Sequence, residues 1–272
     1  MAGGPIGVFD SGVGGLTVVR AIHSALPGES IVYFGDTARV PYGIKGADTI
    51  RRYSLEDLSF LLRFKPKLVV VACNTASAAA LEYLKTRTDI PVIGVIDPGA
   101  AAAAAASKTG RIGVIATEAT VASKAYERAI LARRADAKII QKACPLFVPM
   151  VEEGRIEGEI VDLVVQDYIG GLVPLGVDTL VLGCTHYPVL KPVISKVTGD
   201  AFKIVDSAEE TANAVKGTIA ERGLTDRAQR NGMEFFASDN PERFQRLAAL
   251  FLGTTPCSVT LVKPEEFFAG AN

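Results

Sequence analysis

The chain has 272 residues, of which 49% are hydrophobic and 22% charged, and its formal net charge is −1. This composition is typical of a folded globular protein with one large or two medium domains, and it argues against disorder. A near-neutral charge without a block of basic residues predicts no nucleic-acid partner and no anionic-membrane surface.

The N-terminal residues, MAGGPIGVFD, lack the basic and apolar regions of a secretory signal, so we expect a cytoplasmic location. No apolar stretch reaches the roughly 18 residues of a membrane span. The four cysteines, Cys73, Cys144, Cys184 and Cys257, show no CxxC spacing, and the sequence has only two histidines. We therefore predict neither a disulfide framework nor a metal site.

Apolar runs alternate with helical patterns along the whole chain, which is typical of βα units that build a parallel sheet. The predicted strands are 6–9, 31–34, 68–72, 92–95, 112–115, 138–140, 179–182, 203–205, 234–238 and 258–262. The predicted helices are 16–26, 49–64, 76–86, 121–131, 160–173, 208–222 and 241–251, with an alanine-rich helix after Asp97.

A weak internal repeat relates two parts of the chain. IGVFDSGVGGLTVVRA from Ile6 resembles IGVIATEATVASKAYERA from Ile112, an offset of 106 residues. Strand-turn-helix strings of this length also resemble each other by chance in βα proteins. We predict an α/β fold of two pseudo-symmetric, open parallel-sheet domains that face each other across a central cleft. The first comprises residues 1–97 plus 207–272, and the second comprises residues 98–206.

Two further segments, LVVVACNTAS at 68–77 and TLVLGCTHYP at 179–188, each set a cysteine after a predicted buried strand. A lone cysteine in such a place is more often a small core residue than a catalyst. Two in matched contexts, Cys73 and Cys184, favour a pair of acid/base groups. Racemisation needs such a pair, because the enzyme must deprotonate carbon from either face.

Both thiols need help to ionise. Because a free thiol has a pKa near 8.5, holding it as a thiolate at pH 7 costs roughly 2 kcal/mol. We expect a helix to begin after each cysteine, capped by Asn74 or Thr75 in the first segment, and its exposed N–H groups to offset that cost.

The glycine-rich turn GVFDSGVGG, residues 7–15, predicts a loop that binds an anion or an amine. Asp10 would pair with an ammonium group or accept a proton. A dinucleotide loop is the alternative, although Thr17 stands where the third glycine of GxGxxG belongs. Asp36, at the end of the second strand, would suit a ribose in that alternative.

Two other segments have a functional and an ordinary interpretation. The turn Pro41-Tyr42-Gly43 could present backbone N–H groups and a phenol to a ligand, or it could be a common βα turn. Glu152, in VPMVEEG, could belong to a site or to a solvated helix end.

Seven motifs together resemble the glutamate racemases, the cofactor-independent enzymes of the aspartate/glutamate racemase superfamily. The resemblance spans nearly the whole chain, and ACNT and GCTHYP are its most specific parts. The histidine after the second cysteine resembles the glutamate enzymes, since aspartate racemases usually carry glutamate there. In chain order the motifs are FDSGVGGLTV, YFGDTARVPYG, ACNTAS, GVIDPGA, PLFVPMVEEG, GCTHYP and IVDSAEET.

The resemblance implies catalysis by Cys73 and Cys184, with Asp10 assisting the first thiol and His186 the second. It also implies a homodimer without cofactor or metal that supplies D-glutamate for peptidoglycan. Asp36 and Glu152 would extend the polar shell. The residues implied in substrate binding are Asp10, Ser11, Pro41, Tyr42, Gly43, Asn74, Thr75, Thr185 and His186.

Two alternatives of other classes remain open on the sequence. A nicotinamide-dependent oxidoreductase would bind its cofactor at residues 12–15, and a non-catalytic amino-acid-binding or regulatory protein is the other possibility. We interpret Cys144 and Cys257 as packing residues.

Overall fold

The computed structural model describes residues 3–225, 232–256, 258–263 and 266. Its strands are β1 (Ile6–Asp10), β2 (Ile31–Gly35), β3 (Leu68–Val71), β4 (Val92–Gly94), β5 (Arg111–Ala116), β6 (Lys138–Ala143), β7 (Thr179–Gly183), β8 (Lys203–Asp206), β9 (Met233–Ala237) and β10 (Thr260–Leu261).

The α-helices are α1 (Leu16–Ala25), α2 (Ala47–Leu62), α3 (Asn74–Lys85), α4 (Ile96–Ala106), α5 (Glu118–Ser123), α6 (Ala125–Leu131), α7 (Phe147–Glu152), α8 (Glu159–Ile169), α9 (Lys191–Thr198), α10 (Ser207–Glu221) and α11 (Pro241–Leu252). Within the described ranges, no helix combines the length and the apolar character needed to cross a bilayer.

The strands form two parallel sheets. The first has the order β10-β9-β2-β1-β3-β4, and the second has the order β6-β5-β7-β8. The segment β2-β1-β3-β4 of the first sheet and the segment β6-β5-β7-β8 of the second have the same order when the strands of each half are numbered along the chain. This shared topology confirms the predicted α/β fold of two pseudo-symmetric parallel sheets.

Burial explains why these segments form strands. Every residue of β1, β2, β3 and β7 is buried, as expected of parallel strands that are covered by helices on both faces. One cluster of buried apolar side chains includes Val8 and Val70 of the first sheet and Leu180 and Leu182 of the second. The two halves therefore share a continuous core.

Most predicted elements are present, although several bounds and the number of helices differ. The predicted helix 121–131 is two helices, α5 and α6, because Lys124 adopts a left-handed conformation with φ 54°. The short helices α7 and α9 were not predicted. Helix α3 begins at Asn74, two residues earlier than predicted.

Candidate active site

Both thiols lie after the third strand of their own sheet. Cys73 follows β3 and Cys184 follows β7, and the two residues are only 6% and 7% exposed. The carboxyl ends of parallel strands are where open α/β sheets bind ligands. The structure thus gives the thiols equivalent places in the two halves, as the sequence pattern predicts.

Each cysteine segment reaches across to the other half of the molecule. Thr75 Oγ1 lies 2.9 Å from Thr117 Oγ1 and 3.2 Å from Thr120 Oγ1, both in the second half. Reciprocally, Thr185 Oγ1 lies 3.5 Å from Oδ1 of Asp10, at the end of β1. The end of the third strand in each half therefore contacts the region after the first strand of the other half.

The two halves approach each other closely at the glycine-rich loop. A Cβ atom added to Gly14 would lie 2.4 Å from Thr185 Oγ1 and 2.5 Å from His186 Nδ1. The backbone N–H of Gly12 is also engaged, since it donates to Asp10 Oδ2 at 2.9 Å. Side chains of the second half lie directly against Gly14, so the geometry does not favour a dinucleotide loop.

Cys73 is the N-cap of α3, and its own sulfur takes the capping role predicted for Asn74 or Thr75. The Sγ atom accepts the backbone N–H of Ala76 at 3.5 Å and lies 3.6 Å from Ser11 Oγ. Burial and then the charge of Asp10 nevertheless raise the pKa of Cys73 to about 12. The helix N-terminus therefore does not offset the cost of ionising this thiol, because desolvation outweighs it.

The surroundings of Cys184 differ from the prediction. A short 3₁₀ turn, Tyr187–Leu190, follows this segment, and an α-helix begins only at Lys191. The predicted helix N-terminus beside the second thiol is therefore wrong. In its place His186 Nδ1 lies 3.9 Å from Cys184 Sγ.

A chain of charged groups runs outward from His186. Its Nε2 lies 3.0 Å from Glu152 Oε1, and Arg243 Nη2 lies 3.3 Å from Glu152 Oε2. Burial lowers the pKa of His186, but its interactions with Cys184 and Glu152 outweigh burial and raise the pKa to about 10. Burial likewise raises the pKa of Glu152, but His186 and Arg243 bring it below its ordinary value. At neutral pH the geometry favours an imidazolium between a carboxylate and a sulfur.

The structure places Asp36 and Tyr42 in a separate buried cluster. Asp36 accepts hydrogen bonds from the hydroxyls of Tyr42 and Ser238 and pairs with Arg39, and the Tyr42 hydroxyl lies 3.1 Å from Asp57. These partners satisfy both side chains without the thiols. The cluster anchors the turn 41–43 through the hydroxyl of Tyr42.

That turn lies against the second half. A Cβ atom added to Gly43 would lie 2.7 Å from Thr117 Cβ. Pro41 and Gly43 line a cavity of about 270 Å³ together with Thr117, Cys144 and Glu152. The open space at this edge of the cleft is therefore bounded by both halves.

Asn74 carries a buried donor that no residue described in the structure satisfies. Its Oδ1 accepts the hydroxyl of Tyr126 at 2.7 Å, whereas its buried Nδ2 has no hydrogen-bond partner among the described residues. An unsatisfied buried donor costs about 1–3 kcal/mol. Its persistence beside Cys73 indicates a ligand with an acceptor group such as a carboxylate.

Sequence reasoning missed three residues of the site: Thr117, Tyr126 and Arg243. The internal repeat could have identified the first, since the offset of 106 places Thr117 at the position of Ser11. No sequence signal identifies the other two, because their partners lie in the opposite half of the molecule.

Cys144 does not follow a third strand as the two thiols of the site do, although it lines the cavity beside Pro41 and Gly43. Cys144 is fully buried in the core, and its carbonyl accepts the hydroxyl of Tyr187 at 3.0 Å. Cys257 lies outside the described residues. Among the residues that the structure describes, no group of three or more His, Cys, Asp or Glu side chains could hold a metal ion.

Comparison with known proteins gives consistent matches over most of the chain. Residues 6–215 match the family model for Asp/Glu/Hydantoin racemase. The glutamate racemase of Geobacter metallireducens is 53% identical over 251 residues, which cover 91% of this chain and 92% of that protein.

Solved structures are similar in fold as well as in sequence. A glutamate racemase isoform of Bacillus anthracis superposes with a TM-score of 0.93 at 40% identity, covering 96% of this chain and 98% of that one. The Francisella tularensis glutamate racemase in complex with D-glutamate has a TM-score of 0.91 at 36% identity, with the same coverage, 96% and 98%.

Proposed function

The chain belongs to the Asp/Glu/hydantoin racemase family, and on that premise we propose that it is a glutamate racemase in which Cys73 and Cys184 move the α-proton. One observation carries the proposal: each thiol follows the third strand of its sheet, and four strands of each sheet share the same order. The reciprocal contacts of their segments support a single cleft that both thiols line. The D-glutamate complex of the Francisella relative supports the choice of substrate.

Two thiols suit this reaction because its two directions are mirror images. One sulfur, as a thiolate, takes the α-proton from one face, so that the Cα–H bond breaks and an S–H bond forms. The other sulfur, as a thiol, gives its proton to the opposite face and becomes a thiolate. The configuration inverts, and the next turnover in the reverse direction starts from the exchanged protonation states.

The electrostatics of the site indicate the resting protonation of Cys73 and His186. Because burial and Asp10 raise the pKa of Cys73 to about 12, this residue starts as the thiol. His186, whose pKa is raised to about 10, places a positive charge 3.9 Å from the sulfur of Cys184. A substrate ammonium near Asp10 would neutralise that carboxylate and ease ionisation of Cys73 in the reverse direction.

Donors around the cleft would hold the substrate's carboxylates. Nδ2 of Asn74 is the best-defined donor, since it has no hydrogen-bond partner in the part of the chain that the structure describes. The hydroxyls of Ser11, Thr75, Thr117 and Thr185 lie on the segments that meet there. These donors would hold the substrate in place so that its α-carbon can react with the sulfurs.

The direct test is a racemisation assay with L-glutamate, D-glutamate and aspartate, without added cofactor and with a chelator. We expect glutamate to be racemised in both directions and aspartate to react far more slowly. A purified, folded chain that racemises neither enantiomer of glutamate would contradict the proposal.

We also propose where the enzyme acts, its oligomeric state and its domains. The D-glutamate would be supplied for peptidoglycan in the cytoplasm, by a homodimer with no nucleic-acid or membrane partner. The domains would comprise residues 1–97 plus 207–272 and residues 98–206, which is supported by the division of β1–β4, β9 and β10 from β5–β8. Light scattering in solution tests the dimer.

A further inference from the structure

Tyr126 joins the two cysteine segments although it belongs to neither. It lies in the first turn of α6, in the second half, and is fully buried. Helix α6 begins there because Lys124 turns the chain through a left-handed conformation. That turn separates α6 from α5 and starts a new helix one residue before Tyr126.

The hydroxyl of Tyr126 crosses to the first half and sets the orientation of Asn74. It donates to Asn74 Oδ1 at 2.7 Å. In a planar amide the oxygen and the NH₂ group lie on either side of the Cβ–Cγ axis, so holding the oxygen on the phenol leaves Nδ2 on the other side. This Nδ2 is the buried donor without a partner among the described residues. Burial raises the pKa of Tyr126, so the phenol keeps the proton that it donates.

The ring of Tyr126 touches the other cysteine segment. A Cβ atom added to Gly183, the residue before Cys184, would lie 3.1 Å from Tyr126 Cε2. On α4, a Cβ atom at Gly99 would lie 3.5 Å from Tyr126 Cε1. The glycine at position 183 therefore allows the ring to pack directly against the backbone beside the second thiol.

We propose that Tyr126 is a positioning residue for the racemisation: it keeps the N–H of Asn74 turned toward the substrate carboxylate and fixes the Cys73 segment against the Cys184 segment. The inference rests on the proposed function. Without the phenol the amide of Asn74 could rotate, and its oxygen would then face the carboxylate and repel it. Tyr126 acts through Asn74 and does not touch the reacting atoms.

Steady-state kinetics of Tyr126→Phe in both directions test this role. The substitution keeps the ring and its packing and removes only the hydroxyl. Because the N–H of Asn74 binds the substrate and the transition state alike, we expect KM to rise about tenfold for both enantiomers while kcat changes much less. Tyr83→Phe is the matched control. Tyr83 lies near the other end of α3, its ring beneath Arg87, and this variant should keep both constants.

A double-mutant cycle separates positioning from general support of the fold. If Tyr126 acts through Asn74, the variant Asn74→Ala with Tyr126→Phe will have the same KM as Asn74→Ala alone. The inference would be overturned if the increases in KM of the two single variants multiply in the double variant, or if KM is unchanged in Tyr126→Phe. In either case the wild-type chain would still be an active racemase. A wild-type chain that racemises no glutamate would overturn the proposed function as well, so the two failures are distinguishable.

Discussion

Thr185 Oγ1 lies 3.5 Å from Asp10 Oδ1, and this contact joins the residue after one thiol to the first strand of the opposite half. Thr75, after the other thiol, makes the corresponding contact with Thr117 at 2.9 Å. Each half therefore completes the surroundings of the thiol of the other. A reaction that treats both faces of one carbon alike needs an arrangement of this kind.

The charge on His186 should control how activity falls at alkaline pH. Glu152→Gln removes the carboxylate that helps to raise the pKa of His186 to about 10. We expect the alkaline limb of the pH profile of kcat/KM to move to lower pH by about 1–2 units. Glu153→Gln is the control, because Glu153 pairs with Arg243 at 3.3 Å and is not a hydrogen-bond partner of His186. If the alkaline limb of kcat/KM lies at the same pH in both variants, Glu152 does not maintain the positive charge on His186.

The same pair predicts how stability depends on pH. The folded-state pKa of His186 is raised above the ordinary value of 6.5. Its contribution to the free energy of unfolding is therefore complete below about pH 6.5 and is lost as the pH rises toward 10. In Glu152→Gln this loss should occur at lower pH. Chemical denaturation at several pH values measures it, and curves of the same shape for both proteins would contradict the prediction.

Close packing at Gly14 should be essential to the site. In Gly14→Ala the new Cβ would overlap Thr185 Oγ1 and His186 Nδ1, at 2.4 and 2.5 Å, and displace the segment that follows Cys184. We expect a loss of about 1–3 kcal/mol in stability and a fall in kcat of at least about tenfold.

Gly217→Ala is the matched control for that variant. A Cβ atom at Gly217, within α10, meets nothing within 4 Å, so this variant should keep its activity and gain about 0.5–1 kcal/mol. The racemisation rate and the melting temperature of both variants test this. Full activity in Gly14→Ala would show that activity does not need the close contact of Gly14 with the opposite half.

Isotope exchange should report two bases. In deuterated water the α-carbon of the product should carry deuterium from the first turnover, while the remaining substrate stays unlabelled at early conversion. The reason is that the proton leaves to one sulfur and its replacement comes from the other, which has exchanged with solvent. Mass spectrometry of the separated enantiomers measures both pools. Product that keeps its original proton would indicate a single base.

Much of the fold follows from local patterns in the sequence. The apolar runs at β3 and β7 are long, branched and followed by polar residues, so the places of Cys73 and Cys184 are predictable. The break at Lys124 is not, because its left-handed conformation occurs at a lysine where glycine or asparagine would give a signal. The α-helix expected after Cys184 gives way to a 3₁₀ turn, and Pro188 and Pro192 both lie in this region, where each removes a backbone donor.

The site is less predictable than the fold because it depends on how the halves meet. Asn74 and Thr75 can be assigned from the motif, but their partners Tyr126 and Thr117 come from the opposite half. The high pKa of Cys73 is likewise a property of burial in the assembled cleft, and no local motif encodes it.

The most direct test of the two-thiol account is racemisation by Cys73→Ala and Cys184→Ala, assayed from each enantiomer beside Cys144→Ala. Each of the first two variants should melt near the wild-type temperature and lose at least about a thousandfold in kcat in both directions. Cys144→Ala removes a buried core thiol and should remain active. Full activity from both enantiomers in either Cys73→Ala or Cys184→Ala would contradict the account.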